Sequence, residues 1–254
     1  MASPPSSPAP SSRPGRASAR DARSVPELLH ALRGELPAEL ADRLRAGVAP
    51  GEAPDIPRVA TGIAALDALL GGGVPRGRLV EITGSLSSGR TSLAQALLAS
   101  ATRAGETTAL VDAADAFDPA SAAAAGVDLA RVLWARAPRA REALRCAERL
   151  LEAGGFGMVV VDLASETRAN DAASPWMRMM RSARASGTAL VLLAPRTALG
   201  PFAALTLAAR LVRPRFASGP AWLEGLESEL APVRSRIGAV AGRVRVAWEF
   251  RATE

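Results

Sequence analysis

The segment Gly84-Ser-Leu-Ser-Ser-Gly89-Arg90-Thr91 constrains this chain more than any other. It follows the pattern G-x-x-x-x-G-K-[ST], with an arginine where the lysine belongs. The pattern has a mechanical basis. Its glycines let backbone N–H groups close around the α- and β-phosphates, the cation reaches the β/γ oxygens, and the hydroxyl residue holds Mg2+. Such a loop needs a strand before it and a helix after it. Gly77-Arg-Leu-Val-Glu-Ile-Thr83 reads as the strand, and Arg90 to Ala104 as the helix, its positive end facing the phosphates. The expected nucleotide-binding residues are therefore Gly84, Ser85, Leu86, Ser87, Ser88, Gly89, Arg90, Thr91 and Ser92, with ATP and Mg2+ as the expected cofactors.

Arg90 alone does not silence the loop. All 31 basic residues of the chain are arginine, so the exchange follows a chain-wide bias. Arginine is longer and planar, and it can fork onto phosphate oxygens. Weakened rather than abolished binding is the expectation.

Beyond the loop, strand-length and helix-length segments alternate, which favours a mostly parallel sheet flanked by helices. Strands are expected at Leu79–Ile82, Thr108–Asp112, Val132–Ala135, Met158–Leu163 and Thr188–Leu193, most of them apolar enough to be buried on both faces. Helices are expected at Ser92–Ala104, Ala140–Ala153 and Trp176–Ala185, the last with Ser174 as its cap. Arg243-Val-Arg-Val-Ala-Trp-Glu-Phe-Arg251 alternates polar and apolar residues, as an antiparallel edge strand does. Leu207–Arg213 and Val233–Val240 are its expected neighbours, and Arg243, Arg245 and Arg251 give it a basic, solvated face. The Glu224–Glu229 stretch reads as a solvated helix or loop.

Residues 1–23 are rich in Pro, Ser, Ala and Arg without hydrophobic periodicity, and are expected to be disordered. Residues 24–54 form the next segment. Ser24 and Glu27 have capping-box spacing before Leu28, Leu29 and Leu32, and Pro37 opens a second helix with Leu40 and Leu44. A core over residues 55–254 follows. The net charge of +6 raises the question of nucleic acid, but Arg13, Arg16, Arg20 and Arg23 against Asp21 place half of that surplus in the tail. No apolar run is long enough to span a bilayer, and the first residues carry no apolar signal core, so a cytoplasmic protein is expected. A single cysteine, Cys146, excludes an internal disulfide. His30, the one histidine, has no partners for catalysis, and no residue is assigned a catalytic role.

A phosphate loop of this kind needs an acid at the tip of a buried strand to orient Mg2+ through water. Phe156-Gly-Met-Val-Val-Val-Asp162 supplies it, so Thr91 and Asp162 are the expected metal residues. At this point several runs resemble the bacterial RecA family: Thr61-Gly, Leu66-Asp67, Gly71 through Thr91, Val111-Asp-Ala-Ala-Asp-Ala-Phe-Asp-Pro119, Gly126-Val-Asp128 and Arg178-Met-Met180. The resemblance implies a RecA-like ATPase core with antiparallel strands at its C-terminal edge.

The departures from that pattern carry the functional expectation. In RecA the third residue of the segment resembling Asp112-Ala-Ala-Asp115 is a glutamate that activates the attacking water; here it is Ala114. Asp115 is adjacent, but a one-residue shift along an extended segment turns a side chain away. The aromatic that RecA places near the adenine falls on Ser121. The DNA-binding loop after Asp162 shortens to about Ser165–Ser174, and the one after Leu193-Ala-Pro195 to Arg-Thr-Ala-Leu-Gly-Pro201. The chain is most similar to the ImuA accessory proteins, which implies a DNA-repair factor of error-prone translesion synthesis in the SOS response. Its implied partner is an inactive Y-family polymerase homologue such as ImuB, with little ATP hydrolysis. The alternative is a divergent recombinase with DNA-dependent ATPase activity and single-stranded DNA binding. Direct DNA contact is left open.

Overall fold

The computed structural model describes residues 27, 30, 31, 34, 56–163, 173–217, 222–238 and 240–250. The chain divides into two units, Met1–Ala49 and Pro50–Glu254. In the first, Glu27, His30, Ala31 and Gly34 are helical. The expected tail, the cap at Ser24, the helix from Pro37, residues 165–172 of the shortened loop and Arg251 lie outside the described residues.

The second unit opens with a two-stranded antiparallel ribbon, β1 (Arg58–Val59) and β2 (Val74–Pro75), flanking helix α1 (Ala64–Leu70). An eight-stranded sheet follows, built from β3 (Leu79–Thr83), β4 (Thr108–Asp112), β5 (Val132–Arg136), β6 (Met158–Asp162), β7 (Ala189–Ala194), β8 (Leu205–Phe216), β9 (Leu223–Ser235) and β10 (Val244–Glu249). Its spatial order is β10-β9-β8-β3-β7-β6-β4-β5. Pairing is parallel from β8 through β5 and antiparallel across β8, β9 and β10. The expected α/β architecture with an antiparallel C-terminal edge is what the chain forms. The helices are α2 (Arg90–Arg103), α3 (Pro119–Ala124), α4 (Ala140–Ala153) and α5 (Ala173–Ser186), so Ser174 lies inside α5 rather than capping it.

Two-residue periodicity divides the core between the two faces of the sheet. Val80 and Ile82 of β3 and Met158 and Val160 of β6 pack with α1 and α2. Leu79, Val159 and Val161 point the other way, toward α4 and α5. Strand β5 departs from the expected two-sided burial: it is the sheet's edge, and Leu133 and Trp134 are exposed. The Glu224–Glu229 stretch is also corrected. It belongs to β9, where Glu229 pairs with Arg210 at 3.2 Å and Arg243 at 3.6 Å, and Glu227 pairs with Arg213 at 2.6 Å. An interior strand recruits glutamates here because arginines flank it on both sides.

One charged side chain is wholly enclosed. Glu81 of β3 is 0% exposed, and its carboxylate accepts from the N–H groups of Ala198 (2.5 Å) and Leu199 (2.9 Å) and from Thr206 Oγ1 (3.4 Å). It stitches the turn after β7 to the floor of the sheet, with Leu199 buried beneath. Removing the acceptor orphans the buried Leu199 amide and the half-buried Ala198 amide, each costing up to about 1–3 kcal/mol. Glu81→Ala is expected to lower unfolding stability by about 3 kcal/mol in urea denaturation.

Candidate functional site

The C-terminal ends of the parallel strands converge where the phosphate loop leaves β3, the usual place for a ligand in such a sheet. Ser88, Gly89 and Arg90 are buried, while Ser85, Leu86 and Ser87 form an exposed tip, with Ser87 in the left-handed region at φ 61°. Gly89, at φ 87°, starts α2, and no side chain caps that helix. Its first turn holds no acid, and the amide donors there favour an anion. Arg90 is only 5% exposed and folds back so that its guanidinium donates to the Gly84 carbonyl at 2.7 Å.

Beside the loop, Thr91, Asp112 and Asp162 line one small cavity together with Gln95, Phe117 and Leu193. Asp112 and Asp162 are register partners on β4 and β6, and Asp162 faces Leu193 of β7. The fold thus brings Thr91 and Asp162 to one place. Asp112 has a different task. Its two carboxylate oxygens accept from the amides of Ala114 (3.0 Å) and Phe117 (2.9 Å), which ties down the turn between them.

These residues fit a phosphate group and its metal. Ser88 Oγ is buried without a hydrogen-bond partner among the described residues. The amides at the start of α2 lack a cap, and a hydroxyl and a carboxylate share the adjacent cavity. Among the described residues no three His, Cys, Asp or Glu side chains converge. That suits Mg2+, which takes one or two protein oxygens and completes its shell with phosphate and water.

The turn after β4 is locked outward. Asp115 has φ 54°, so the segment is not extended there; the residue turns away because it is left-handed. Arg136 of β5 forks onto its carboxylate, Nε to Oδ1 at 2.6 Å and Nη2 to Oδ2 at 2.5 Å. Arg136 also lies over the Trp134 ring at 5.5 Å, and Phe117 meets that ring edge-on at 5.3 Å. Ala114 adds no functional group. On the helix side, Asp118 caps α3 and binds Ser121 Oγ at 2.5 Å.

A wider hollow adjoins the first through Gln95, and is lined by Ser121, Ala124, Ala125, Gly126, Glu249 and Phe250. Phe250, 40% exposed, is its one aromatic wall. Sequence reasoning missed this residue, along with Ser228, Trp248 and Arg136. Cys146 is far from chemistry: burial pushes its thiol pKa up.

The model of the RecA N-terminal domain matches residues 46–173, half of the chain. The chain belongs to the RecA family. Protein RecA of Rubrobacter xylanophilus is 47% identical over 105 residues, which cover 41% of this chain and 30% of that protein. Protein RecA of Rickettsia bellii is 42% identical over 109 residues, covering 42% and 32%. The match thus spans about a third of the length of these relatives. The crystal structure of the RadB recombinase superposes with a TM-score of 0.57 at 22% identity, covering 74% of this chain and 94% of that one, a likeness of fold. The matched RecA domain contains the phosphate loop, Ala114 and Asp162, whereas Ser228, Trp248 and Phe250 lie beyond it. Among the described residues no helix is long and apolar enough to cross a membrane.

The Asp115–Arg136 fork can be tested by titration. The hydrogen bond from Arg136 holds the Asp115 carboxyl below its ordinary value. The pair therefore contributes above the ordinary carboxylate range and is lost as pH falls through the lowered value. In Arg136→Gln, the Asp115 carboxyl carbon followed by NMR should titrate at higher pH than in the native chain.

Proposed function

We propose that this RecA-family chain binds ATP with Mg2+ in a repair role and turns it over slowly. The loop backbone from Gly84 to Ser92 would cradle the phosphates, Arg90 would swing from Gly84 to the β/γ oxygens, and Thr91 and Asp162 would serve the metal. Bound Mg2+ supplies charge neutralisation at the phosphates. In the adjoining hollow, Phe250 would offer the nucleobase the stacking face that Ser121 does not.

The observation that carries the low turnover is the state of the turn after β4. Ala114 stands where the resemblance to RecA implies the water-activating glutamate, and the neighbouring acid, Asp115, is held outward by Arg136. Without a general base the cavity favours holding a nucleotide over spending it. The finer reading is an accessory factor of error-prone translesion synthesis, ImuA-like. It would act in the cytoplasm as part of the SOS response to DNA damage, through an inactive Y-family polymerase homologue. Glu81 supports that reading, because the turn after β7 is pinned where a recombinase needs a mobile DNA-binding loop. So do Arg210 and Arg213 of β8 and Arg243, which are paired with Glu227 and Glu229. The relatives' names favour a second reading, a divergent recombinase whose hydrolysis depends on single-stranded DNA.

Equilibrium dialysis should detect ATP binding that Phe250→Ala weakens by about tenfold, as loss of one stacking face does. Turnover should stay well below about 1 s⁻¹, the lower end for competent enzymes, with or without single-stranded DNA. Restoring an acid with Ala114→Glu should raise that rate by at least about tenfold, within the usual contribution of a general base. Strong stimulation of the native chain by single-stranded DNA would instead support the recombinase. Capture of the polymerase homologue, compared with and without ATP, tests the accessory role.

A further inference from the structure

The back of the phosphate loop rests on the antiparallel edge of the sheet, through two side chains far along the chain. Ser228 of β9 is fully buried, and its hydroxyl donates to the Ser88 carbonyl at 2.7 Å. The same oxygen accepts from Trp248 Nε1–H of β10 at 3.0 Å. The three groups form a directed relay from indole to hydroxyl to peptide, in which each bond polarises the next. Gly89 is pressed against the same pair: a Cβ there would overlap Ser228 Oγ and sit 2.7 Å from Trp248 Nε1. Only glycine lets the loop lie this close at φ 87°.

The consequence follows from peptide geometry. A trans peptide is planar, and its C=O and N–H point in opposite directions. Drawing the Ser88 carbonyl back toward β9 therefore aims the Gly89 N–H forward, away from β9 and into the loop. That amide belongs to the group of donors at the start of α2 that no side chain caps.

We propose that Ser228 and Trp248 are positioning residues for phosphate binding: their relay fixes the Ser88–Gly89 peptide so that its N–H faces the ligand. Neither side chain touches the phosphate, and each acts through the loop. The proposal rests on the nucleotide-binding reading above and adds to it the elements that set the loop's affinity.

Equilibrium dialysis with ATP and Mg2+ on the full chain tests it. Ser228→Ala should raise the dissociation constant by about tenfold, as weakening one charge-assisted hydrogen bond does. Trp248→Phe keeps a ring and removes the donor, and should have a smaller effect in the same direction. The double variant should bind no more weakly than Ser228→Ala, because one relay is being cut twice. Hydrogen exchange of the Trp248 indole without nucleotide gives a second readout: in Ser228→Ala the Nε1–H should exchange at least about tenfold faster than in the native chain. If the native chain and Ser228→Ala bind ATP within twofold of each other, the proposal is overturned while the nucleotide-binding reading stands. If the native chain binds no ATP, that reading fails, and exchange decides the relay alone: an unchanged Trp248 indole N–H overturns it, and an accelerated one upholds it.

Discussion

A helix that begins on a buried arginine concentrates two positive features at one point, the amide end of its dipole and a guanidinium. Everything around the candidate site follows from how this chain manages that excess. The Gly84 carbonyl takes the Arg90 guanidinium at 2.7 Å, and the loop closes on itself. The first turn of α2 carries no acid that would compete for the amides. Asp162 lies instead at the tip of β6, in one cavity with Thr91. An anion with a bound divalent ion matches this distribution, because it meets both signs of charge where each stands.

The same economy separates holding a ligand from reacting with it. Asp112 spends both oxygens on backbone amides, and Asp115 is claimed by Arg136. Phe117 and Arg136 both contact the Trp134 ring beside the turn. The acidic side chains in this turn thus serve backbone amides and an arginine.

Much of this was legible in the sequence where one rule governed one segment. The strand at Thr108–Asp112 and the helix at Ala140–Ala153 fall where periodicity places them, because each is packed along its whole length. Spacing alone placed Thr91 and Asp162 in one cavity. What was not legible involved partners distant in the chain. Val132–Ala135 reads as a buried strand, yet nothing local reveals that it stands at the edge of the sheet. Glu227 and Glu229 read as solvated until Arg210 and Arg213 of β8 and Arg243, just before β10, claim them. Asp115 was read on an extended backbone, and a left-handed turn gives the same outward direction by a different route. The alternation of Arg243–Arg251 puts Val246 and Trp248 on one face, but only the sheet order shows that this face backs onto Ser88.

The hydroxyl of Ser228 and the carbonyl of Ser88 are separated by 140 residues. On a ribosome the glycines, Arg90 and Thr91 emerge well before β9 and β10, the strands that brace them. Until then the nascent chain carries a phosphate loop without its backing. Nucleotide therefore meets a weaker site until then, and the loop gains its brace only when β9 and β10 dock. Long-range closure of this kind is slow. In this chain it makes the braced phosphate loop depend on contacts between residues far apart in sequence, so the loop's integrity reports that β9 and β10 have docked.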